Sequence, residues 1–401
     1  MRSLHGPGHP DPRSILVALP TWVGDFVMAT PALRAIRNRF PGAHIAFLME
    51  PNLRELVRGG DWMNESIEWP GQDGRRPWRR AYRDLVWDLR RRQFDWAVLL
   101  PNSFRSALLA RFIKAKRRIG YDRDGRGWLL TDRLPVKNRW TAELLRQAER
   151  RGHFVSLPPE RFIAPGTFDA LSPMAPQGKY WPMPIVEYYA DLAEALGCER
   201  PGDRLELFTT TDADLSIDDR LKMLGLENRG PLVVLSPGAK YGAAKCWLPD
   251  RFAATADRLI ETDDAVVVVT CGPGEEPIAQ SIAGAMRHTG HLLIDPLLSL
   301  GELKSLILLA DLLICNDAGP RHFAKAFDVP VVTIFGPTHP QWTATSYVAE
   351  RIVRVDVDCG PCQQRVCPLG HLKCMTGVSV DMVITAAREL LAGRTLAATT
   401  R

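Results

Sequence analysis

Residues 312–338, LLICNDAGPRHFAKAFDVPVVTIFGPT, constrain the architecture more tightly than any other stretch of the chain. They read as strand, Asn-Asp-Ala-Gly-Pro turn, helix, strand and Gly-Pro-Thr turn. Residues 312–315 form a short apolar run, as a buried parallel strand should. Pro320 suits the first turn of a helix, where a missing N–H costs nothing. Gly319 lets a bound group approach the backbone closely. Such a turn aims unpaired helix N–H groups at the carboxyl edge of a sheet, a setting that favours anions and phosphates. Asp317 and His322 stand at that mouth. A bare connecting helix needs neither, whereas a phosphate-bearing ligand with hydroxyls to orient could use both.

The same alternation of strand and helix runs along the chain twice. In the first series, strands are expected at 15–20, 44–48 and 96–100, with helices at 24–39, 52–58, 78–92 and 104–114. A Pro-rich zone follows from 134 to 184, then a helix at 185–196. The second series expects strands at 232–235, 265–270, 291–294, 312–315 and 331–335. Its helices fall at 249–262, 275–287, 301–310, 320–327 and 380–392. Serial βαβ units imply parallel sheets. At 401 residues the chain is also too long for one ordinary core. The fold class is therefore α/β, with two Rossmann-like parallel-sheet domains facing a cleft. The division expected is a flexible tail at 1–13, a first domain at 14–210, a second at 211–378, and a C-terminal helix and tail at 379–401.

Charge is spread unevenly. Between Arg75 and Arg126 there are 16 Lys and Arg against 5 Asp, a local net of +11, so the rest of a chain with overall charge +5 carries −6. Segment 75–92, RRPWRRAYRDLVWDLRRR, reads as a helix with Trp78, Leu85, Val86, Trp87 and Leu89 among the arginines. It is either a solvated face or a docking surface for anionic lipid or a phosphorylated acceptor. Nucleic acid is disfavoured, because no nucleic-acid-binding motif is present. No apolar run approaches the ~20 residues of a membrane span, and the N-terminus lacks the apolar core of a secretory signal. The expected location is the cytoplasm.

Four segments carry candidate chemistry. In 15–37, a loop with Trp22, Gly24 and Asp25 joins strand to helix. Asp25 is either an N-cap or a carboxylate placed to take a proton from a hydroxyl. In 233–252, a Gly-rich loop offers Ser236, Gly238, Lys240, Gly242 and Lys245, and its two ammonium groups suit a diphosphate. It is not a Walker A loop. In 270–280, Glu275 and Glu276 open a helix; the helix dipole alone favours them there, and such a carboxylate can also hold a ribose diol. The GxGxxG fingerprint is missing, which disfavours a nicotinamide-dependent dehydrogenase. The fourth segment, CGPCQQRVCPLGHLKC, places Cys359, Cys362, Cys367, Cys374 and His371 within 16 residues. A structural metal on the four cysteines and reduced thiols packing a tight loop are both open. Cys315 reads as core.

Taken together, three blocks resemble glycosyltransferase family 9, the ADP-heptose:lipopolysaccharide heptosyltransferases, and its heptosyltransferase II members in particular. The blocks are LPTWVGDFVMATPALRAIRNRFPGAHI (19–45), LSPGAKYGAAKCWLPDRFAATADRL (235–259) and CNDAGPRHFAKAFDVPVVTIFGPTHPQWT (315–343). The Cys-rich tail is similar to that of many bacterial members. The resemblance implies a GT-B fold, with acceptor on the first domain and nucleotide sugar on the second. It implies inverting transfer of a heptose from ADP-heptose to the lipopolysaccharide inner core at the cytoplasmic membrane face, with no cofactor required for catalysis. The partners implied are the donor, a lipid-linked phosphorylated glycan acceptor and the membrane surface, to which the protein would bind peripherally. Asp25 matches the general base and Lys245 the lysine that neutralises the donor diphosphate. Asp317 matches the residue gripping donor-sugar hydroxyls. Gly319, Pro320 and His322 match the phosphate-side turn, and Glu275 or Glu276 the ribose-binding carboxylate. The stretch 137–184 departs from the pattern by its length. Two alternatives stay open: another nucleotide sugar or surface-glycan acceptor, and a non-catalytic nucleotide-sugar binding protein.

Overall fold

A computed structural model of the chain describes residues 10–70, 78–137, 182–226 and 230–399. Most of the Pro-rich zone and the extreme N-terminus lie outside the described residues. The chain divides into two compact units, with the division after Phe208; the first takes in Met183–Phe208 as well as the N-terminal series.

The first unit holds six parallel strands: β1 (Ser14–Ala18), β2 (His44–Met49), β3 (Glu65–Glu68), β4 (Trp96–Leu99), β5 (Arg117–Tyr121) and β6 (Asp132–Leu134). Their order is β3-β2-β1-β4-β5-β6. Ile15 pairs with Ile45 on one side and Trp96 on the other, so β1 is the central strand. The chain direction across the sheet reverses between β1 and β4, and in open α/β sheets that switch point is where ligands bind.

Among the described residues, five helices accompany this sheet: α1 (Val23–Arg39), α2 (Arg54–Val57), α3 (Trp78–Arg91), α4 (Phe104–Phe112) and α5 (Ile185–Ala195). Helix α1 contains Pro31, which cannot donate to the carbonyl four residues back. The Thr30 hydroxyl donates to that Val27 carbonyl instead, at 2.7 Å, and accepts from the Glu206 N–H at 3.0 Å. One threonine thus repairs the break and ties α1 to the segment after α5. Helix α3 buries Leu89 and packs Tyr82, Leu85 and Val86 against the core beside Trp69, a helical one-face spacing. Trp87 points the other way and is 64% exposed.

The second unit repeats the order. Its strands are β7 (Leu232–Ser236), β8 (Val266–Thr270), β9 (His291–Leu293), β10 (Leu312–Asn316), β11 (Val331–Ile334) and β12 (Glu350–Val353), arranged β9-β8-β7-β10-β11-β12 and all parallel. The helices are α6 (Thr211–Met223), α7 (Pro249–Asp263), α8 (Glu276–Ala285), α9 (Leu300–Leu309), α10 (Gly319–Ala326), α11 (Lys373–Thr376) and α12 (Val380–Thr399). Strand β10 is buried along its whole length, as its apolar run requires. Ser299 and Glu302 close a reciprocal capping box on α9, a device worth about 1 kcal/mol. Helix α12 packs over β10, β11, β12 and α7 and belongs to this unit's core.

Six of the elements named above escaped the sequence reading: β3, β5, β6, β12, α6 and α11. The strands are short or begin with charge, as in ESIE and RRIGY. Helix α6, TDADLSIDDRLKM, buries only Ala213 and Ile217, so it carries little apolar period.

Candidate active site

The second unit's switch point lies between β7 and β10, and the loops leaving those two strands are sewn together. Asn316, the last residue of β10, donates through Nδ2 to the Pro237 carbonyl at 2.5 Å. Its Oδ1 accepts from the Trp247 N–H at 3.1 Å. One buried amide therefore clamps both ends of the loop 237–247. Trp247 is itself buried and donates through its indole to the Val378 carbonyl at 3.1 Å. Lys245 sits just before this anchor, which holds the backbone next to it in place.

Lys245 meets Asp317. Its Nζ lies 2.5 Å from Asp317 Oδ2 and 3.0 Å from the Asp317 carbonyl. Asp317 Oδ2 also accepts from Thr338 Oγ1 at 2.7 Å, and Oδ1 accepts from Arg321 at 3.0 Å. Burial alone would raise the Asp317 carboxyl; Lys245 and Arg321 outweigh it and hold the group well below the usual carboxylate range. The ammonium of Lys245 also lies 4.7 Å over the Tyr241 ring.

Behind Asp317 runs a buried ionic chain. Arg321 Nε donates to Glu350 Oε1 at 2.9 Å; its Nη2 stands 2.7 Å from the same oxygen but is not aligned to donate. Lys325 Nζ lies 2.6 Å from Glu350 Oε2, and Thr333 Oγ1 donates to Oε1 at 2.8 Å. Burial and the Arg321 charge draw the Lys325 ammonium down to about 8, against the pull of Glu350. Glu350 is held low by Arg321 and Lys325 in spite of its burial. The sequence reading named none of Arg321, Lys325 and Glu350.

Gly319 and Pro320 open α10, with Pro320 in the first turn as its chemistry favours. His322 is buried and its Nδ1 has no hydrogen-bond partner. Burial, with Arg321 and Lys325 nearby, keeps the imidazole neutral well below its ordinary range. Ser236 ends β7 and is buried. Glu275 is the N-cap residue of α8 and accepts from the Gly272 N–H at 3.0 Å. Its carboxylate lies so close to Gly238 that a Cβ there would collide with it. Ser236, Gly238 and Glu275 thus share one corner of the sheet edge. Glu276 begins α8, and Lys240 is exposed at the loop tip.

In the first unit, Asp25 occupies the third helical position of α1, not its N-cap. The N-cap residue is Trp22, whose side chain makes no capping bond and is 42% exposed. Asp25 is half-buried within the electrostatic reach of Tyr189. It stands just past the carboxyl end of β1, on the switch-point edge of its sheet.

The Cys-rich loop wraps the Lys245 loop. The Ala244 N–H donates to the Arg365 carbonyl at 3.1 Å, and Tyr241 Oη donates to the Gln363 carbonyl at 2.6 Å. Gly242 must be glycine, since a Cβ would strike the Arg365 carbonyl and its φ is +159°. Cys359, Cys362, Cys367, Cys374 and His371 line one small apolar cavity. His371 Nδ1 accepts from the Lys373 N–H at 3.0 Å, which leaves Nε2 facing Cys359 Sγ at 3.8 Å. The Cys367 thiol is drawn below its ordinary range, first by the backbone N–H of Leu372. Among the described residues no three His, Cys, Asp or Glu side chains are arranged to hold a metal ion.

A lysine loop, a buried aspartate and a helix N-terminus gathered at a switch point have the chemistry that suits a phosphorylated ligand with hydroxyls. Comparison with known proteins narrows this. The family model for glycosyltransferase family 9 (heptosyltransferase) matches residues 82–158 and 175–373. The chain belongs to glycosyltransferase family 9. It is a transferase of that family with the two-unit GT-B fold. The chain is 26% identical over 385 residues to lipooligosaccharide heptosyltransferase 2 of Campylobacter jejuni, a match covering 94% of this chain and 98% of that one. It is 28% identical over 345 residues to lipopolysaccharide heptosyltransferase 2 of Salmonella typhimurium, covering 85% and 88%. The solved structure of Escherichia coli ADP-heptose LPS heptosyltransferase II superposes with a TM-score of 0.70 at 24% identity, over 95% of this chain and 99% of that one. A family 9 structure from Veillonella parvula gives 0.72 at 18% identity, covering 95% and 97%.

Proposed function

We propose that this family 9 enzyme moves a heptose from ADP-heptose to the inner core of lipopolysaccharide, inverting the anomeric centre, at the cytoplasmic face of the membrane. The observation that carries the reading is the Lys245–Asp317 pair beside the start of α10. Lys245 and the α10 N-terminus would take the donor diphosphate, compensating the charge that builds as it leaves. No catalytic metal is needed on this reading, because an ammonium and backbone N–H groups supply the positive charge. Asp317 would hold donor-sugar hydroxyls through the acceptor capacity left on Oδ1, and Glu275 would take the ribose. Asp25 would accept the proton of the attacking acceptor hydroxyl. The names of the curated relatives, heptosyltransferases of lipopolysaccharide or lipooligosaccharide, support the sugar and the acceptor class.

The acceptor would be lipid-linked and phosphorylated, and the first unit carries surface suited to it. Trp87, Trp128, Phe104 and Phe112 are exposed within or beside the arginine-rich segment, and Phe104 and Trp128 touch with ring centroids 6.1 Å apart. Aromatic side chains among arginines suit the head-group layer of an anionic membrane. No described helix is long and apolar enough to cross a membrane, so contact would be peripheral. A calorimetric titration with ADP, GDP and UDP side by side tests the donor assignment. Selective ADP binding is expected. Preference for GDP or UDP would overturn ADP-heptose while keeping the diphosphate site, and no binding to any would refute the donor site.

A further inference from the structure

The buried ionic cluster behind the Lys245 loop does not balance. Lys245, Arg321 and Lys325 bring three positive charges; Asp317 and Glu350 bring two negative ones. His322 is neutral, and Cys315, buried against the same groups, is a neutral thiol. The cluster therefore holds one cation in excess, in a place where an uncompensated charge is strongly disfavoured. The excess cation can be identified by position. The side chains of Arg321 and Lys325 are 0% and 1% exposed, whereas Lys245 is 11% exposed and arrives on a loop. With Arg321 on Asp317 and Lys325 on Glu350, every buried anion keeps a partner. Lys245 is left over for an anion from outside.

We propose that Arg321 is a positioning residue that keeps Asp317 paired while Lys245 turns from that carboxylate to the phosphate of a bound nucleoside diphosphate. Glu350 and Lys325 hold Arg321 in place for this exchange. The geometry supports each part. Asp317 gives its two oxygens to different cations, Oδ2 to Lys245 and Oδ1 to Arg321, so one can leave without disturbing the other. Thr338 stays on Oδ2 at 2.7 Å and caps the oxygen Lys245 vacates. Arg321 is fixed by Glu350 on one side, by Thr343 Oγ1 at 2.6 Å and by the Phe335 ring at 4.8 Å, so it cannot follow the ligand. Without Arg321, the departure of Lys245 would strand a buried carboxylate, and Lys245 would stay where it is.

This inference rests on the second unit being a nucleotide site, and the test separates the two. ADP is titrated calorimetrically into the full chain as wild type, Lys245→Ala, Arg321→Met and the double variant. In the wild-type background, Lys245→Ala should weaken ADP about 10-fold or more, as loss of a charge-assisted contact does. In the Arg321→Met background Lys245 is already locked on Asp317, so the same change should cost less than about 3-fold, and Arg321→Met alone should reproduce most of the loss. A purely structural role for Arg321 predicts equal Lys245→Ala costs in both backgrounds, and that result overturns the exchange. ADP affinity unchanged in Arg321→Met overturns it as well. Failure of wild type to bind ADP removes the nucleotide site itself. Arg321→Met leaves two balanced pairs, so the fold should survive. If circular dichroism shows otherwise, the cycle is run with Arg321→Gln, which also removes the charge, and an undiminished Lys245→Ala cost again overturns the proposal.

Discussion

Asp25 illustrates how much one side chain's position decides. An N-cap aspartate spends its carboxylate on the first N–H groups of its helix. Asp25 instead stands in the third helical position of α1, beyond the end of β1. Asp25→Asn should lower kcat by about 100-fold or more while ADP affinity stays within about 2-fold, because a general base acts on the chemical step. Turnover within a few-fold of wild type would remove Asp25 as the base. Lys245 and Asp317 were singled out from residue type and place: a lysine on a glycine loop after one strand, an aspartate in the turn after another. Arg321, Lys325 and Glu350 were not. Charged residues on a short helix read as solvent-facing, and Glu350 reaches Arg321 from 29 residues away. Only the pairing of β11 with β12 brings them together.

At the scale of elements, strand β12 and helix α10 are joined by charge as well as by packing, which gives this corner of the fold a pH signature. Asp317 and Glu350 are both depressed below their ordinary values of 3.8 and 4.5. The unfolded chain therefore takes up protons first as pH falls through those values. Stability contributed by these groups is complete above that window and is lost as pH drops through the depressed native values. Urea unfolding from pH 6 to pH 3 should show wild type losing stability more steeply than Asp317→Asn; equal slopes would contradict the depressed carboxylate. Long apolar strands such as β8 and β10 were legible because burial on both faces leaves an uninterrupted run. Short or charged edge elements such as β3 and β6 were not, since pairing with a neighbour rather than apolar content defines them. Helix α3 was legible as a helix, and the 82, 85, 86, 89 spacing sets its core-facing side: Trp87 falls off that stripe and is exposed.

At the scale of the whole molecule, two sheets share one strand order and differ in the residues their switch points carry. The first presents a carboxylate at β1; the second presents a lysine, an aspartate and a helix start at β7 and β10. Two βαβ series were visible in the sequence because each strand run is bounded by turn chemistry, whereas the common order within each unit emerges only from strand pairing. The account as a whole is tested most directly by transfer itself. The purified full chain is incubated with ADP-heptose and an inner-core acceptor that lacks the outer heptose, with and without excess EDTA, and products are weighed by mass spectrometry. The acceptor should gain one heptose, ADP should appear in equal amount, and EDTA should leave the rate unchanged. An acceptor that stays unmodified while wild type binds ADP, or transfer that EDTA abolishes and Mg²⁺ restores, would contradict it.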